Sequence, residues 1–294
     1  MTRAPRPPRP FDEALIDRLR LSPPIGWKLA TARGLLHAID MVGRLARGAP
    51  FFGLKECEAV LVELREYAGA DLIRALMATN NGTEITTHGL ENVPTAGPVM
   101  VASTHATGLF DVVAQADALM AKRPDLKVVA NEDAERFLGS DLTIPVRIGS
   151  GERNKATHET RAAMVRHLDA GGALMIFGSG RVARLQNGRL VESDWRSGPT
   201  RISQATGVPI VPTSVNARNS DAYYATRRLV RWITRGNDDL AARIASMRHA
   251  EELRLKLGGR FEVYYGAPLP PGTPAAELKA RAEALAPGLY ARAP

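Results

Sequence analysis

PVMVASTHATGLFDVVAQADALMAK, from Pro98 to Lys122, decides the fold. Pro98–Thr104 is a short uncharged run of small and branched side chains, the composition of a strand buried on both faces. Beyond His105 the pair Thr107-Gly108 turns the chain into a helical stretch, Leu109–Lys122. A strand feeding a helix through a tight turn is the building unit of an α/β sheet. The unit recurs along the chain. Glu84–Gly89, Leu126–Ala130, Ile144–Ile148, Gly172–Gly178, Val208–Val215 and Arg260–Gly266 read as strands, with Ala156–Ala170 and Thr200–Thr206 as helices among them. The expectation is an α/β fold, a mostly parallel sheet flanked by helices and preceded by an N-terminal helical segment.

The composition suits that fold. The chain has 294 residues, 45% hydrophobic and 24% charged, which is ordinary for a globular protein and excludes disordered or collagen-like architecture. The single Cys57 excludes a disulfide framework and a cysteine-based zinc site, and points to a reducing, cytoplasmic setting. No apolar run is long enough to span a bilayer, and the basic, Pro-rich start MTRAPRPPRP lacks the apolar core of a secretory signal. Ala59–Gly82 reads as helix closed by the Asn80-Asn81-Gly82 turn signal, so residues 1–82 are expected as a basic tail with amphipathic helices and residues 83–294 as the α/β domain. Asn237–Leu257 and Pro274–Tyr290 read as two further helices.

The net charge of +8 is unevenly spread: residues 1–48 and 218–260 each carry an excess of +5, leaving the remainder at −2. Two basic segments suggest an anionic partner, whether nucleic acid, lipid surface or acidic carrier protein. Between Ile25 and Gly48, Arg33, His37, Asp40, Arg44 and Arg47 recur at steps of four and three, which sets them along one helical face. Leu29, Ala32, Leu35, Leu36, Ile39, Val42 and Leu45 fill the other side, with Trp27 near the start. Such a helix either docks its apolar face on a core or lies in a membrane interface.

Two strand ends carry residues suited to chemistry. His105 follows one strand and Asp111 sits in the first turns of the next helix. A carboxylate that accepts from one imidazole nitrogen leaves the other as a general base; the alternative is a helix-start acid beside a structural histidine. The second strand end runs Gly178-Ser179-Gly180 and then Arg181 and Arg184. Glycines there permit close backbone approach, and paired arginines suit a phosphate or carboxylate, or are simply solvated. The turn is neither a Walker A loop, lacking its GK[ST] ending, nor a nucleophile elbow, since Phe177 stands where glycine is required.

VPTAGPVMVASTHATGLFD, IPVRIGSGER, GGALMIFGSGRVAR and TGVPIVPTSV, in this order, resemble the four blocks of the glycerolipid acyltransferases, the lysophosphatidate acyltransferase-like superfamily. The resemblance covers about residues 83–270. It departs from the usual blocks at Thr104, which stands in place of Asn, and in the longer His105–Asp111 spacing. In the third block Gly178 and Ser179 replace Pro and Glu, and Arg181 and Val182 stand where Thr and Arg are usual. These departures are similar to the hemolysin-like and ornithine-lipid acyltransferase branch, in which Arg181 would be an acid. The resemblance implies that His105 deprotonates the hydroxyl of a lysolipid, which attacks an acyl thioester of coenzyme A or acyl carrier protein, while Asp111 orients the imidazole. It implies no metal and no cofactor. Arg147 with Ser150, and Ser179, Gly180, Arg181 and Arg184, are the candidate acceptor site, and Pro209 the candidate for the thioester side. A lysolipid acceptor also implies an anionic membrane surface as partner, with the protein peripheral on the inner face of the cell membrane and part of Ile25–Gly48 at the interface. No recognised motif supports nucleic acid. The acceptor remains open between a lysophosphatidate-like lipid and a lyso-ornithine or other aminolipid. A non-catalytic lipid binder on this scaffold and a thioester hydrolase also remain open.

Overall fold

The structure is a computed structural model that describes residues 11–146 and 153–291; the Pro/Arg tail and the candidates Arg147 and Ser150 lie outside the described residues. The chain begins with helices α1 (Asp12–Leu19), α2 (Ile25–Arg47), α3 (Leu54–Glu63) and α4 (Gly69–Ala78). There follow β1 (Glu84–His88), β2 (Val99–Ser103), α5 (Leu109–Met120), β3 (Lys127–Asn131), α6 (Glu132–Leu138), β4 (Thr143–Val146), α7 (Arg153–Asp169) and β5 (Ala173–Phe177). A short hairpin comes next, β6 (Arg184–Gln186) and β7 (Arg189–Val191), then α8 (Gly198–Thr206) and β8 (Ile210–Val215). Helices α9 (Asp221–Ile233), α10 (Asp238–Ser246) and α11 (His249–Arg254) precede β9 (Arg260–Tyr265) and α12 (Ala275–Ala284).

All seven expected strands form. They make one sheet in the order β1-β9-β8-β2-β5-β3-β4. Every neighbouring pair is parallel except β8 with β9, so β1 and β9 run against the other five strands. All five residues of β2 are buried, as its uncharged composition requires of a central strand. The core beside it joins Met100, Ala102, Leu174, Ile210, Leu168, Trp195 and Leu278.

Four stretches differ from the sequence expectation. The helix expected over Ala59–Gly82 is interrupted at residues 64–68, where Gly69 takes a positive φ of +53° at the start of α4. Asn237–Leu257 is two helices rather than one, and α9 and the β6–β7 hairpin were not foreseen.

The chain divides into two compact units: residues 1–66 with 220–255, and residues 67–219 with 256–294. This partition is not the one expected at residue 82. Helix α4 belongs with the sheet, and the basic segment α9–α11 belongs with the N-terminal helices.

Within the helical unit, α2 has the expected period, but its buried stripe runs along the border of the two faces and takes in Arg33 and Asp40 beside Leu36 and Gly43. Arg33 donates to Asp12 (2.9 Å) and Glu58 (2.6 Å), so its charge is paired on both sides. The Asp40 carboxylate accepts from the backbone N–H groups of Phe51, Phe52, Gly53 and Leu54, satisfying the open donors at the start of α3. Leu36 packs with Leu15, Phe52 and Leu54, whereas Trp27, Leu35, Met41, Val42 and Leu45 are exposed, Leu45 to 83%. Helix α9, in the same unit, exposes Leu229, Trp232 and Ile233 among Arg228, Arg231 and Arg235. No helix of the described residues is long and apolar enough to cross a membrane.

Candidate active site

The carboxyl ends of the neighbouring strands β2 and β5 lie side by side, with Ser103 paired to Phe177, and the loops leaving them form the site. Gly108 closes the turn with φ +90°, a conformation that favours glycine, and α5 starts at the next residue. That turn brings Asp111 back to His105. The Asp111 carboxylate is fully buried and accepts four bonds: from His105 Nδ1 (3.1 Å), the Thr107 N–H (2.7 Å), the Thr107 hydroxyl (2.6 Å) and the Gly108 N–H (3.0 Å). A charge removed from water needs this many partners, and its place in the first turn of α5 adds the favourable end of the helix dipole. Because the carboxylate only accepts, the proton sits on Nδ1 and Nε2 presents a lone pair. Among the described residues Nε2 has no hydrogen-bond partner, and the side chain keeps 16% of its surface exposed. Phe177, at the carboxyl end of β5, packs on the ring at 4.4 Å between centroids, tilted by 36°.

The third block is built differently from the family pattern, and the reason is visible. A Cβ at Gly178 would stand 2.0 Å from the Trp195 indole, so no larger residue, proline included, fits under that ring. Ser179 is buried, and its hydroxyl donates to Glu192 (2.7 Å), with the Arg181 carbonyl as a second acceptor in reach (2.9 Å). Gly180 and Arg181 are exposed and Arg184 is half-buried on β6. The structure thus brings Ser179, Gly180, Arg181 and Arg184 to the same sheet end as His105. Pro209 it does not: β8 runs parallel to β2 with Met100 opposite Ile210, which sets Pro209 at the start of the strands, about 20 Å of extended chain from His105.

Glu192 was missed. Its two oxygens accept the His105 N–H (3.2 and 3.1 Å), and it is buried just after β7. Burial pushes its carboxyl up from 4.5 to about 7, against the lowering pull of the Ser179 and His105 bonds. The signal that finds it is Asn187-Gly188. Both residues have positive φ (49° and 76°), the pairing that two-residue hairpin turns demand, and RLQ and RLV flank it. Reading that hairpin brings residue 192 back beside residue 183 at the foot of the ladder.

Residues 84–216 match the family model described as Acyltransferase. This segment is similar to acyltransferase domains. It contains His105, Asp111, the third-block turn and Glu192. A curated relative, the lyso-glycine lipid O-acyltransferase of Bacteroides thetaiotaomicron, is 23% identical over 221 residues, covering 73% of this chain and 76% of that protein. Among solved structures, the 1-acyl-sn-glycerophosphate (LPA) acyltransferase PlsC from Thermotoga maritima aligns with TM-score 0.44 and 16% identity, covering 80% of each chain. Cys57 lies outside the matched segment, buried in the helical unit, where loss of solvent and the nearby Glu251 push its thiol well up and keep it protonated.

Proposed function

We propose that the protein transfers a fatty acyl group from a coenzyme A or acyl carrier protein thioester to the hydroxyl of a lysolipid, with His105 as general base. The observation that carries this reading is the His105 imidazole, bound at Nδ1 by a buried carboxylate and open at Nε2. Nε2 takes the acceptor hydroxyl proton as its oxygen attacks the thioester carbonyl. The tetrahedral intermediate expels the thiolate, and the imidazolium returns the proton to sulfur. Asp111 holds the tautomer and balances the transient positive charge. Arg181 and Arg184, at the same sheet end, suit the acceptor's anionic head group.

A second acceptor class is favoured by one finding. The curated relative is named for a lyso-glycine lipid, an aminolipid rather than a phospholipid. An aminolipid acceptor also suits a third block in which Ser179 stands where the family's acidic residue is expected.

A lysolipid is delivered from a bilayer, and the helical unit supports contact with an anionic one, at the inner face of the cell membrane. Trp27, Leu35, Met41, Val42 and Leu45 on α2, and Leu229, Trp232 and Ile233 on α9, are exposed near arginines, the composition of an interfacial helix.

The test incubates wild-type and His105→Ala protein with labelled acyl-coenzyme A or acyl carrier protein and a panel including lysophosphatidate and lyso-aminolipids, with products read by mass spectrometry. Diacyl product from wild type and a loss of roughly 10²–10⁴-fold in the variant are expected. Free fatty acid in place of diacyl lipid makes the protein a thioesterase, and absence of both products with every donor leaves a lipid-binding scaffold.

A further inference from the structure

The foot of the β6–β7 hairpin grips the backbone of His105 from both sides. The Ala183 N–H donates to the His105 carbonyl (2.8 Å), and the opposite residue of the hairpin, Glu192, accepts the His105 N–H with its carboxylate. The same carboxylate takes the Ser179 hydroxyl, so one side chain ties the end of β2 to the turn after β5. A buried carboxylate that serves only to fill space is replaced without loss by a neutral isostere; one bound to the backbone of a catalytic base and to the neighbouring turn is not.

We propose that Glu192 is a positioning residue for His105: its ionised carboxylate holds the His105 backbone and the Ser179 turn in register, and its charge supports the imidazolium formed when His105 takes a proton. This rests on His105 being the base. The groups facing Glu192 are His105 from the end of β2, Asp111 from α5, Ser179 from the turn after β5, and Tyr290 from the C-terminal segment that pairs with Leu190. Burial pushes the Tyr290 phenol well up, so it stays neutral and adds no charge. Protonated Glu192 keeps only its carbonyl oxygen as a full acceptor for the His105 N–H and loses the charge. Activity therefore falls as pH drops through about 7, where this carboxyl takes its proton.

Stability runs the other way. The carboxyl ionises at about 7 when folded and at about 4.5 when unfolded, so over that window the folded chain holds the extra proton. The stability that Glu192 contributes is fully present below about 4.5 and is lost as pH rises through about 7. Glu192→Gln removes the buried charge, and is expected to be more stable than wild type above pH 7 yet less active.

The experiment measures kcat and KM for the acyl donor between about pH 5.5 and 8.5, with thermal unfolding at each pH, for wild type, Glu192→Gln, Glu192→Asp, Ser179→Ala and His105→Ala. For Glu192→Gln the expected result is a kcat lower by about tenfold, what one pKa unit of imidazolium support represents, with donor KM little changed and the acid limb lost or moved to lower pH. Glu192→Asp keeps the charge and recovers part of kcat with a limb still present. Ser179→Ala takes away a bond that favours the ionised form, so its limb moves to higher pH. Wild-type kcat with an unmoved limb in Glu192→Gln overturns the proposal, as does a loss that merely follows the unfolded fraction. If Glu192→Gln does not fold, an unmoved limb in Ser179→Ala overturns it. Wild-type rates in His105→Ala sink the general-base reading itself, and the positioning role with it.

Discussion

Asp111 spends four hydrogen bonds on being a carboxylate, and only one of them goes to His105. Asp111→Asn replaces an acceptor by a group that also donates, facing three backbone or ring N–H donors. It favours the wrong imidazole tautomer, and kcat is expected to fall by roughly 10²-fold or more, read by steady-state assay with circular dichroism to show an intact fold. Wild-type turnover would remove the orienting role. At Gly178 the constraint is space rather than charge. A methyl group there must displace the buried Trp195 ring, and Gly178→Ala is expected to destabilise by about 1–3 kcal/mol, measured by urea unfolding. His105 and Asp111 were legible as a pair because a strand, a Thr-Gly turn and a helix start are all local signals. The indole over Gly178 was not, since it arrives from 17 residues further along the chain and no local pattern announces it.

At the scale of elements, the central strands β2 and β8 were readable because strands covered on both faces carry their burial in their own composition. Helix α2 was readable in period but not in direction. Periodicity separates two faces without saying which stripe meets a neighbour, and the decision was made by Asp40 finding four open N–H groups at the start of α3. Removing that acceptor leaves buried donors unpaired. Asp40→Ala is expected to cost about 2 kcal/mol or more, measured by chemical denaturation. A change of a few tenths would mean that α3 is capped adequately without it. The hairpin β6–β7 is short enough that its strands carry no clear alternation, so its only sequence mark is Asn187-Gly188.

For the whole molecule, the partition into two units was hidden because the helical unit is assembled from both ends of an interrupted segment, residues 1–66 and 220–255. That assembly puts the first basic stretch and most of the second in the unit that carries most of the exposed large apolar residues. Leu35→Asp with Leu45→Asp alters only solvent-facing side chains, so unfolding is expected to stay within experimental error. Partition onto vesicles containing anionic lipid is expected to drop at least tenfold, each buried leucine being worth about 1.5–3 kcal/mol. Undiminished co-sedimentation would remove α2 from the membrane contact.

Because Arg33 and Asp40 fasten α2 from within, its oily stripe is a finished surface in water rather than one that forms on arrival. A peptide that coils only at a bilayer forfeits part of its binding energy to ordering itself; this helix has nothing left to order. Its helicity should be the same with and without vesicles. The cost falls elsewhere: in the absence of lipid, that stripe leaves large apolar side chains facing water.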